Sequence, residues 1–388
     1  MIYLAQDRWQ TYGRYPDGGE YSSYLGKPSI GQPNMIMSYD YVNDAVGEWN
    51  DPTMAITIEL KEGWNWTSHN LNSAIHTSRY IGYAQHIMGA GESYIKDENS
   101  VWSGNLKGIS PATGYKIKMS ENADITLRGE LFDTTVPVTL KKGWNWVGCP
   151  LYNATVIEEA LKEYTPTEGD AIIGVNSFAT YEDGEWTGTL SSLSPGQSYL
   201  LKCGATQRIH WNSFSKARAK SRRYSAPEQE VQSGTPWQTD MHAHPYAIGV
   251  IATIDGDVSA NNCTVAAFCD NECRGVAQVV DGLLYMNIYG EGDETIRFKS
   301  VDNGGEIIEF EQILRFAPEA IIGSRKSPLL LTHKYSCIET PALSDLQIVS
   351  TIYYTLSGQR VDYPSSGIFI KKTVYENGYT EVKKIKAK

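Results

Sequence analysis

The sequence lacks three features that would narrow its function quickly: a long apolar run, an excess of basic residues and a recognisable catalytic motif. No apolar stretch approaches the roughly 20 residues of a membrane-spanning helix, so we expect no transmembrane segment. The net charge of -11 argues against nucleic acid as a partner, because non-specific nucleic-acid binding needs a basic surface. Without a Gly-x-Ser-x-Gly, His-Glu-x-x-His or P-loop motif, no catalytic residue is assigned and a non-enzyme is expected.

Cysteine is also scarce, with six in 388 residues, which excludes a disulfide-dense scaffold. The segment from Cys269 to Cys273 has no second cysteine pair at a suitable distance, so a zinc site is not expected. Cys149 and Cys203 fall in the first and last strands of a repeat described below, and they are a candidate disulfide. The other copy of the repeat has His69 and Met119 at these positions, so such a bridge would be dispensable to the fold.

The chain contains a duplicated module. The heptapeptide Leu-Lys-Glu-Gly-Trp-Asn-Trp at 60–66 returns as Leu-Lys-Lys-Gly-Trp-Asn-Trp at 140–146. Further downstream, residues 102–106 and 109–115 are echoed by 186–190 and 193–199. Matched start, middle and end indicate two homologous domains in tandem.

Alternation of apolar and polar residues predicts short strands throughout both repeats and the following region. The two tryptophans of each Trp-Asn-Trp segment share one strand face and are expected to be core anchors, with a sugar-stacking platform as the alternative. Asn65 and Asn145 lie on the opposite face and are expected to form turn hydrogen bonds. The best helix signal is residues 155–164, with Thr155 and Glu158 as a capping box.

These patterns predict a mainly β protein of tandem β-sandwich-like modules, followed by an antiparallel β-sandwich and a small C-terminal β domain. A helical crossover is expected in at least the second repeat. The basic, Pro- and Ser-containing stretch between the repeats and the sandwich is interpreted as a linker. The expected segments are an N-terminal irregular or β segment (1–53), module 1 (54–133), module 2 (134–211), the linker (212–236), the sandwich (237–333) and the C-terminal domain (334–388).

The C-terminal stretch Ile-Tyr-Tyr-Thr-Leu-Ser-Gly-Gln-Arg-Val (352–361) with Gly-Ile-Phe-Ile-Lys-Lys (367–372) resembles the sorting tails of the type IX secretion system in Bacteroidetes. The region before it, including residues 265–268, 272–277 and 298–302, is similar to a β domain that often precedes such tails, and the Gly-Trp-Asn-Trp modules resemble repeats of the same surface proteins. The resemblance implies a secreted or cell-surface protein and no defined catalytic site. Since Met1 is not followed by a signal peptide, a fragment or a mature form is expected.

Candidate ligand-binding residues are few. Trp102 and Trp186 each lie in a Gly-containing hairpin, where an indole is harder to bury, and they are candidates for stacking on a sugar; local packing is the alternative. Asp255 and Asp257 supply oxygen ligands over a short loop that could hold calcium, although the loop lacks EF-hand spacing; no other cofactor is expected. His242 and His244 have the i, i+2 spacing of some metal sites, but no third ligand is identifiable.

Three functions follow. The first is a non-catalytic exported surface protein whose modules bind a surface glycan or protein ligand, or display another domain. The second is a glycan-binding accessory region of a carbohydrate-processing system. The third is an enzyme whose site is assembled from distant residues, because paired carboxylates for glycoside hydrolysis leave no local signature.

Overall fold

A computed structural model describes most of the chain from residue 54 onwards. The described residues are 54–212, 221–225, 227–228, 235–255, 263–334, 347–376, 378 and 380–387, with the backbone of two paired strands, β1 (Thr11–Arg14) and β2 (Ser22–Leu25). The chain forms two compact units, residues 1–333 and 334–388. Strands account for 56% of the structure and helices for 2%, so the predicted mainly β fold is confirmed.

The two repeats share one strand order. In module 1 the strands are β3 (Met54–Leu60), β4 (Gly63–Thr67), β5 (Ile75–His76), β6 (Ala84–Gly89), β7 (Glu92–Lys96), β8 (Trp102–Gly104), β9 (Gly108–Ile109), β10 (Tyr115–Met119) and β11 (Ala123–Gly129). In module 2 they are β12 (Val138–Leu140), β13 (Gly143–Gly148), β14 (Thr155–Val156), β15 (Ala171–Ile173), β16 (Phe178–Glu182), β17 (Glu185–Gly188), β18 (Ser192–Leu193), β19 (Ser198–Cys203) and β20 (Gln207–Ile209). The five-stranded sheets β4-β10-β6-β7-β8 and β13-β19-β15-β16-β17 match strand for strand, as do the smaller pairs β3/β11 with β12/β20 and β5/β9 with β14/β18.

The helix predicted at 155–164 is much shorter than expected. Only α1 (Ile157–Ala160) is helical, and its N-cap is Val156, which makes no side-chain capping bond. Thr155 instead bonds the carbonyl of Asn153 and pairs with Leu193 as part of β14. Strand pairing therefore takes the residues that the capping-box pattern assigned to the start of a helix, and tertiary context overrides local propensity. Module 1 has a 3₁₀ turn, Thr77–Arg79, at the corresponding place.

The two Trp-Asn-Trp segments begin after a tight turn that their asparagines hold in place. In module 1 the Asn65 side chain accepts from the Lys61 N–H at 2.9 Å and donates to the Lys61 and Gly63 carbonyls at 2.7 and 3.0 Å. Asn145 repeats the arrangement with Lys141 and Gly143. The prediction of turn-forming asparagines is confirmed, and it explains why the intervening residue is glycine, since Gly63 has a φ of 86°.

The predicted Cys149–Cys203 bridge is wrong. Both residues are buried free thiols in the core of module 2. The antiparallel register places Cys203 opposite Gly143, whereas Cys149 follows Gly148 at the other end of the ladder. At about 3.4 Å per residue this separates the two by on the order of 20 Å, while a disulfide needs Cα atoms within about 7 Å. Burial raises the pKa of Cys149 to about 12, which makes it an unreactive thiol.

The region after the repeats is a two-sheet sandwich, as predicted. Its strands are β22 (Tyr246–Ile254), β23 (Cys263–Cys269), β24 (Glu272–Val276), β25 (Gln278–Val280), β26 (Leu283–Gly290), β27 (Thr295–Asp302), β28 (Ile307–Arg315), β29 (Ile321–Ile322) and β30 (Leu329–Leu331). One sheet has the order β25-β26-β22-β29, with β30 also on β22, and the other has the order β24-β23-β27-β28. Their inner faces enclose a core that includes Ile248, Val265, Met286, Phe298 and Phe310.

Part of the predicted linker is a strand of module 1. Strand β21 (Ser221–Tyr224) pairs in parallel with β3, so the chain returns from module 2 to module 1 before it enters the sandwich. Arg223 lies 2.6 Å from Glu59 and 2.9 Å from Asp124, and the buried Tyr224 hydroxyl accepts from Asn70 at 2.7 Å. Arg223 therefore pairs with two carboxylates of module 1, and residues 221–224 are not a solvated tether.

The described residues of unit 2 form one antiparallel sheet of four strands, Ile348–Thr355, Arg360–Val361, Gly367–Tyr375 and Thr380–Ala387. Arg360–Val361 lies at one edge and Thr380–Ala387 at the other. The short strands predicted for this tail are thus present, and the longest of them pairs with one neighbour over residues 369–375 and with the other over residues 367–374.

Modules 1 and 2 contact each other through equivalent segments used twice. The end of β4 meets the Ser-Pro-Gly-Gln turn of module 2 through a Thr67–Gln197 bridge, and the end of β13 meets the matching turn of module 1 through a Thr113–Val147 bridge. Each crossing is also closed by main-chain hydrogen bonds, such as Gly148 N–H to Ala112 carbonyl at 3.1 Å. Two copies of one surface therefore face each other in an approximately two-fold arrangement.

At this interface one copy carries serine where the other carries glycine. Ser68 faces its equivalent Gly148, and a Cβ on Gly148 would lie 2.4 Å from the Ser68 Cβ and 2.6 Å from the Thr113 carbonyl oxygen. Gly114 faces its equivalent Ser198 in the same way, and a Cβ on Gly114 would lie 2.2 Å from the Ser198 hydroxyl oxygen. Two identical modules carrying serine at these positions would clash, so the sequence differences between the copies allow this close contact.

Gly148→Ala is expected to lower the free energy of unfolding by about 1–3 kcal/mol, because the added methyl overpacks the interface. Denaturant unfolding of the full chain measures the change. Gly82→Ala is the matched control, since a Cβ there meets no atom within 4 Å, and it should be nearly neutral. Adding Ser68→Gly to Gly148→Ala should recover part of the loss; a double variant no more stable than the single one would contradict the proposed clash.

The tryptophans of both repeats pack outwards against the sandwich. Trp66 lies in a buried cluster with Met241, Ala247 and Ile251, and its indole N–H donates to the Pro245 carbonyl at 3.1 Å. The equivalent Trp146 donates to the Glu319 carboxylate at 2.8 Å. The expected core anchors are therefore anchors between domains: they bury their area at the junction of three modules rather than inside their own repeat.

Lys116 lies at the centre of this junction. Its side-chain nitrogen is 4.1 Å from the ring centre of Trp66, 4.5 Å from that of Trp146 and 4.3 Å from that of Tyr246. The residue is fully buried and its nitrogen has no hydrogen-bond partner. Each ring comes from a different module, so one ammonium group interacts with three π faces at the point where the modules meet. Burial lowers the pKa of Lys116 to about 7, against a smaller opposing influence of Glu319.

This lowered pKa gives a pH dependence of stability with a defined sign. The unfolded chain binds a proton at Lys116 up to its ordinary pKa of 10.5, whereas the folded chain releases it near 7. Folding is therefore favoured at high pH, and that stability is lost as the pH falls through about 7. We expect the free energy of unfolding to rise between pH 7 and 10 by on the order of 3 kcal/mol through this group.

Lys116→Leu should remove this part of the pH dependence, since module 2 carries Leu200 at the equivalent position. Unfolding curves of the wild type and the variant at several pH values give the difference. Lys118→Leu, which replaces an exposed lysine of the same strand, is the control and should keep the wild-type slope. Equal slopes for wild type and Lys116→Leu would show that the buried amine does not titrate in this range.

Candidate functional site

The two tryptophans proposed from sequence occupy equivalent outer strands. Trp102 begins β8, stacks on Tyr94 with ring centres 5.0 Å apart and packs against the core of module 1. Trp186 lies in β17, contacts Tyr181 edge-on at 5.4 Å and packs against the core of module 2. Both are half-buried, so each side chain has a packing role, and part of each ring faces solvent.

The described part of the structure does not bring His242 and His244 together, and the calcium site at Asp255 and Asp257 stays a prediction. Asp255 is exposed, and its N–H donates to the Leu331 carbonyl at 2.8 Å. Asp257 lies outside the described residues. His242 bonds the Trp64 carbonyl at 2.7 Å, while His244 bonds Glu272 at 2.8 Å, so the two imidazoles serve different neighbours. Among the described residues, no group of three or more His, Cys, Asp or Glu side chains is placed to hold a metal.

A groove that sequence reasoning missed lies where module 2 meets the sandwich. It consists of two adjoining cavities of about 300 and 240 Å³. Three residues of module 2, Asn176, Ser177 and Thr189, line both cavities. We call the larger cavity the wide pocket, the smaller one the narrow pocket, and the two together the groove. A position between two domains is typical of ligand sites, and the volume of the wide pocket is that of a small ligand-binding pocket.

The sandwich forms the floor of the wide pocket with one face of β26. Tyr285, Asn287 and Tyr289 alternate along the strand and therefore point the same way. Asn287 also donates to the Gly174 carbonyl at 3.2 Å, which ties the floor to module 2. Burial raises the pKa of Tyr285 and of Tyr289, so both phenols stay protonated at neutral pH.

Trp237 supplies an aromatic wall to the wide pocket. It stands at the entrance to the sandwich and contacts Phe268 edge-to-face, with ring centres 5.3 Å apart and an interplanar angle of 79°. The indole is half-buried, so part of its surface is available in the pocket. The neighbouring Thr239 is buried, and its hydroxyl lies 3.5 Å from the Cys273 sulfur.

The narrow pocket is lined by hydroxyl groups of the segment that joins β17 to β19. Ser191, Ser192, Ser194 and Ser198 line it, together with the amide of Gln197. These side chains follow the second copy of the Trp-x-Gly-x-Leu motif, so the tertiary fold places a run of small polar residues along one wall.

Two main-chain carbonyls from the segment before the sandwich, those of Ser225 and Glu228, contact side chains of the groove. The Gln197 side chain donates to the Ser225 carbonyl at 3.2 Å, and the Asn176 side chain donates to the Glu228 carbonyl at 3.0 Å. Pro227 borders the narrow pocket and Glu228 borders the wide one. The two amides therefore already hold neutral oxygen acceptors, and they show the kind of group that this surface can recognise.

The groove carries almost no charge. Among the described residues that line it, Glu228 is the only charged one, and it is exposed. Hydroxyls and amides can both donate and accept hydrogen bonds. The described lining contains one carboxylate, Glu228, three tyrosines and no histidine, and its hydroxyls, amides and rings can orient a ligand through hydrogen bonds and ring contacts.

The sequence contained only weak signals for this groove. Trp237 stands at the predicted start of the sandwich, and Asn176 follows a short buried strand, neither of which indicates a site alone. The residues meet because module 2 and the sandwich pack side by side, which no local pattern predicts. The Thr-Leu-Ser-Ser-Leu-Ser run at 189–194 is the one stretch whose hydroxyl content could have drawn attention.

The comparisons with known proteins supply no family. No family model matches the chain, and no curated protein matches it. A solved structure, the Bacillus anthracis TIE protein, aligns over 93% of this chain and 79% of its own length, with 7% identity and a TM-score of 0.16. A likeness of that size carries no argument. No helix among the described residues is long and apolar enough to cross a membrane.

The stability of Trp186→Ala shows whether the Trp186 ring contributes to the packing of module 2 or is free to stack on a ligand. Because the indole packs against the module 2 core, truncation should lower the free energy of unfolding by about 1–3 kcal/mol, less than for a fully buried tryptophan. Trp186→Phe should retain most of the stability. Denaturant titration measures both variants; an alanine variant as stable as the wild type would mean that the ring contributes nothing to packing and is free to serve a ligand.

Proposed function

We propose that this chain is a non-catalytic ligand-binding and display protein of the cell surface or the extracellular space. The observation that carries the proposal is the groove: it offers hydrogen-bonding side chains and aromatic surface, with a single carboxylate and no histidine among its described lining residues. Sites built this way hold and orient ligands.

The packing of unit 1 supports a binding role. The groove is made from module 2 and the sandwich, and both are fixed to module 1 through the tryptophan junction. A site assembled across a well-packed junction is pre-organised, so less entropy is lost when a ligand binds. Duplicated modules would then serve as the frame that holds the site in shape.

Export remains part of the proposal and rests on sequence resemblance alone. The tail at 352–372 resembles type IX secretion sorting tails, and its four-stranded sheet forms a unit of its own. We propose that unit 2 serves in delivery or attachment and that unit 1 carries the binding site.

A glycan-binding accessory role is the second candidate, and a specific observation favours it. Trp102 and Trp186 lie at equivalent places on the outer strands of the two five-stranded sheets, with part of each ring towards solvent. Two equivalent aromatic surfaces could bind a repeating polymer with a gain in avidity. An enzyme assembled from distant residues has no comparable observation in its support.

The binding role is tested by filling the groove. Ser177→Trp places an indole at the boundary of the two pockets and should abolish ligand binding, whereas Ser73→Trp, at an exposed position of module 1, should leave it intact. The probes are an array of plant, mucin and bacterial glycans and a random peptide library, applied to the full chain.

Saturable binding of either class that is lost only in Ser177→Trp supports the groove as the site. Binding that survives in Ser177→Trp but is lost in Trp102→Ala and Trp186→Ala would move the function to the outer strands. A wild-type chain that binds neither class would contradict the proposal. Recovery of bound glycans in cleaved form would overturn its non-catalytic part.

A further inference from the structure

The chemistry of the groove narrows the class of ligand beyond the proposed binding role, on which this inference rests. Its described lining contains no lysine, arginine or histidine, and the one carboxylate, Glu228, is exposed at its border. A buried charge on a ligand would be left without a counter-charge, which is costly in a partly desolvated site. The ligand that fits is therefore uncharged.

We infer that the groove binds an uncharged saccharide chain that stacks on Trp237 in the wide pocket and extends towards the serine-lined narrow pocket. Each sugar ring presents several hydroxyl groups that donate and accept, and the groove offers side chains of the same dual character. A hydrophobic peptide would cover the serine hydroxyls without pairing them, at a cost of about 1–3 kcal/mol for each group that it buries.

Trp237 supplies the apolar contact that a sugar ring needs. Aromatic rings with one polar atom are suited to surfaces that are partly wet, and the edge-to-face contact with Phe268 holds the indole in one orientation. Tyr289 on the floor is buried, so Trp237 is the more accessible ring of the wide pocket. The stacking position is thus set by the sandwich, while most hydrogen-bonding groups belong to module 2.

The extent of the groove indicates that the ligand is longer than one sugar. The wide and narrow pockets adjoin, and Asn176, Ser177 and Thr189 line both. A monosaccharide in the wide pocket would contact Trp237 and the β26 face but would not reach the serines of the narrow pocket. Only an oligosaccharide would use both pockets, so affinity should increase with chain length.

The experiment measures binding of the full chain to an array of neutral and acidic oligosaccharides, followed by titration of the strongest neutral binder and its shorter fragments. We expect saturable binding to a neutral oligosaccharide, with a monosaccharide at least about tenfold weaker because it loses the second pocket. Acidic glycans, rich in sialic or uronic acid, should bind more weakly than their neutral counterparts.

Variants then assign the site. Trp237→Ala should weaken binding by about tenfold or more, as expected for a central aromatic contact. Trp237→Phe keeps a ring against Phe268 and should retain most of the affinity, which separates loss of stacking from loss of folding. Asn176→Ala should also weaken binding. Tyr83→Ala, an exposed aromatic residue of module 1, is the matched control and should bind as the wild type does.

Three results would overturn the inference: no neutral glycan binds, acidic glycans bind best, or Trp237→Ala and Asn176→Ala leave the affinity unchanged. If glycan binding is lost in Trp102→Ala or Trp186→Ala but is unchanged in Trp237→Ala, sugar binding belongs to the outer strands. A blank glycan array together with peptide binding that Ser177→Trp abolishes would reject the saccharide class and leave the proposed binding role standing. If the wild-type chain binds neither glycans nor peptides, both the saccharide inference and the proposed binding role are rejected.

Discussion

The arrangement of unit 1 depends on the aromatic junction around Lys116. Trp66, Trp146 and Tyr246 surround one side-chain nitrogen at 4.1–4.5 Å, and each ring belongs to a different module. An ammonium group among three π faces is favourable only while the rings stay together, and its burial without a hydrogen bond opposes its charge. The modules are thereby joined by a contact that is sensitive both to geometry and to protonation. Neighbouring apolar residues, including Met241 and Ile251, give the junction its buried area.

The duplication supplies the equivalent tryptophans of this junction, and sequence differences between the two copies allow them to pack together. The repeated Gly-Trp-Asn-Trp segment places two equivalent tryptophans side by side, facing the same partner. Identical copies would clash at their mutual contact, and this is avoided because serine in one copy faces glycine in the other. Lys116 has Leu200 as its counterpart, so the charge occurs once, near the centre of an otherwise repeated surface. Small differences between the copies therefore convert a repeat into a single asymmetric body.

The groove follows from the same asymmetry. Its module 2 wall includes the β15–β16 turn with Asn176 and Ser177, whereas the β6–β7 turn of module 1 carries Ala90 and Gly91. Only one copy thus presents amide and hydroxyl groups at this place beside the sandwich. Although the chain has a net charge of -11, the described lining of the groove holds a single charged residue, Glu228. A neutral, hydrogen-bonding ligand is the class that this contrast favours.

The duplication, the strands of the sandwich and tail, and the turn asparagines can be predicted from the sequence, because they depend on repeated motifs, period-2 alternation and local hydrogen bonds. The sequence did not determine the helix at 157–160, where pairing of Thr155 with Leu193 took residues that local propensity assigned to a helix. It also misplaced Cys149 and Cys203, since membership of paired strands says nothing about register. The return of residues 221–224 to module 1, the outward packing of Trp66 and the meeting of Trp237 with Asn176 were decided by the tertiary structure alone. Each of these is a contact between residues far apart in the chain, and no local pattern of side chains records which distant surface an exposed face will meet.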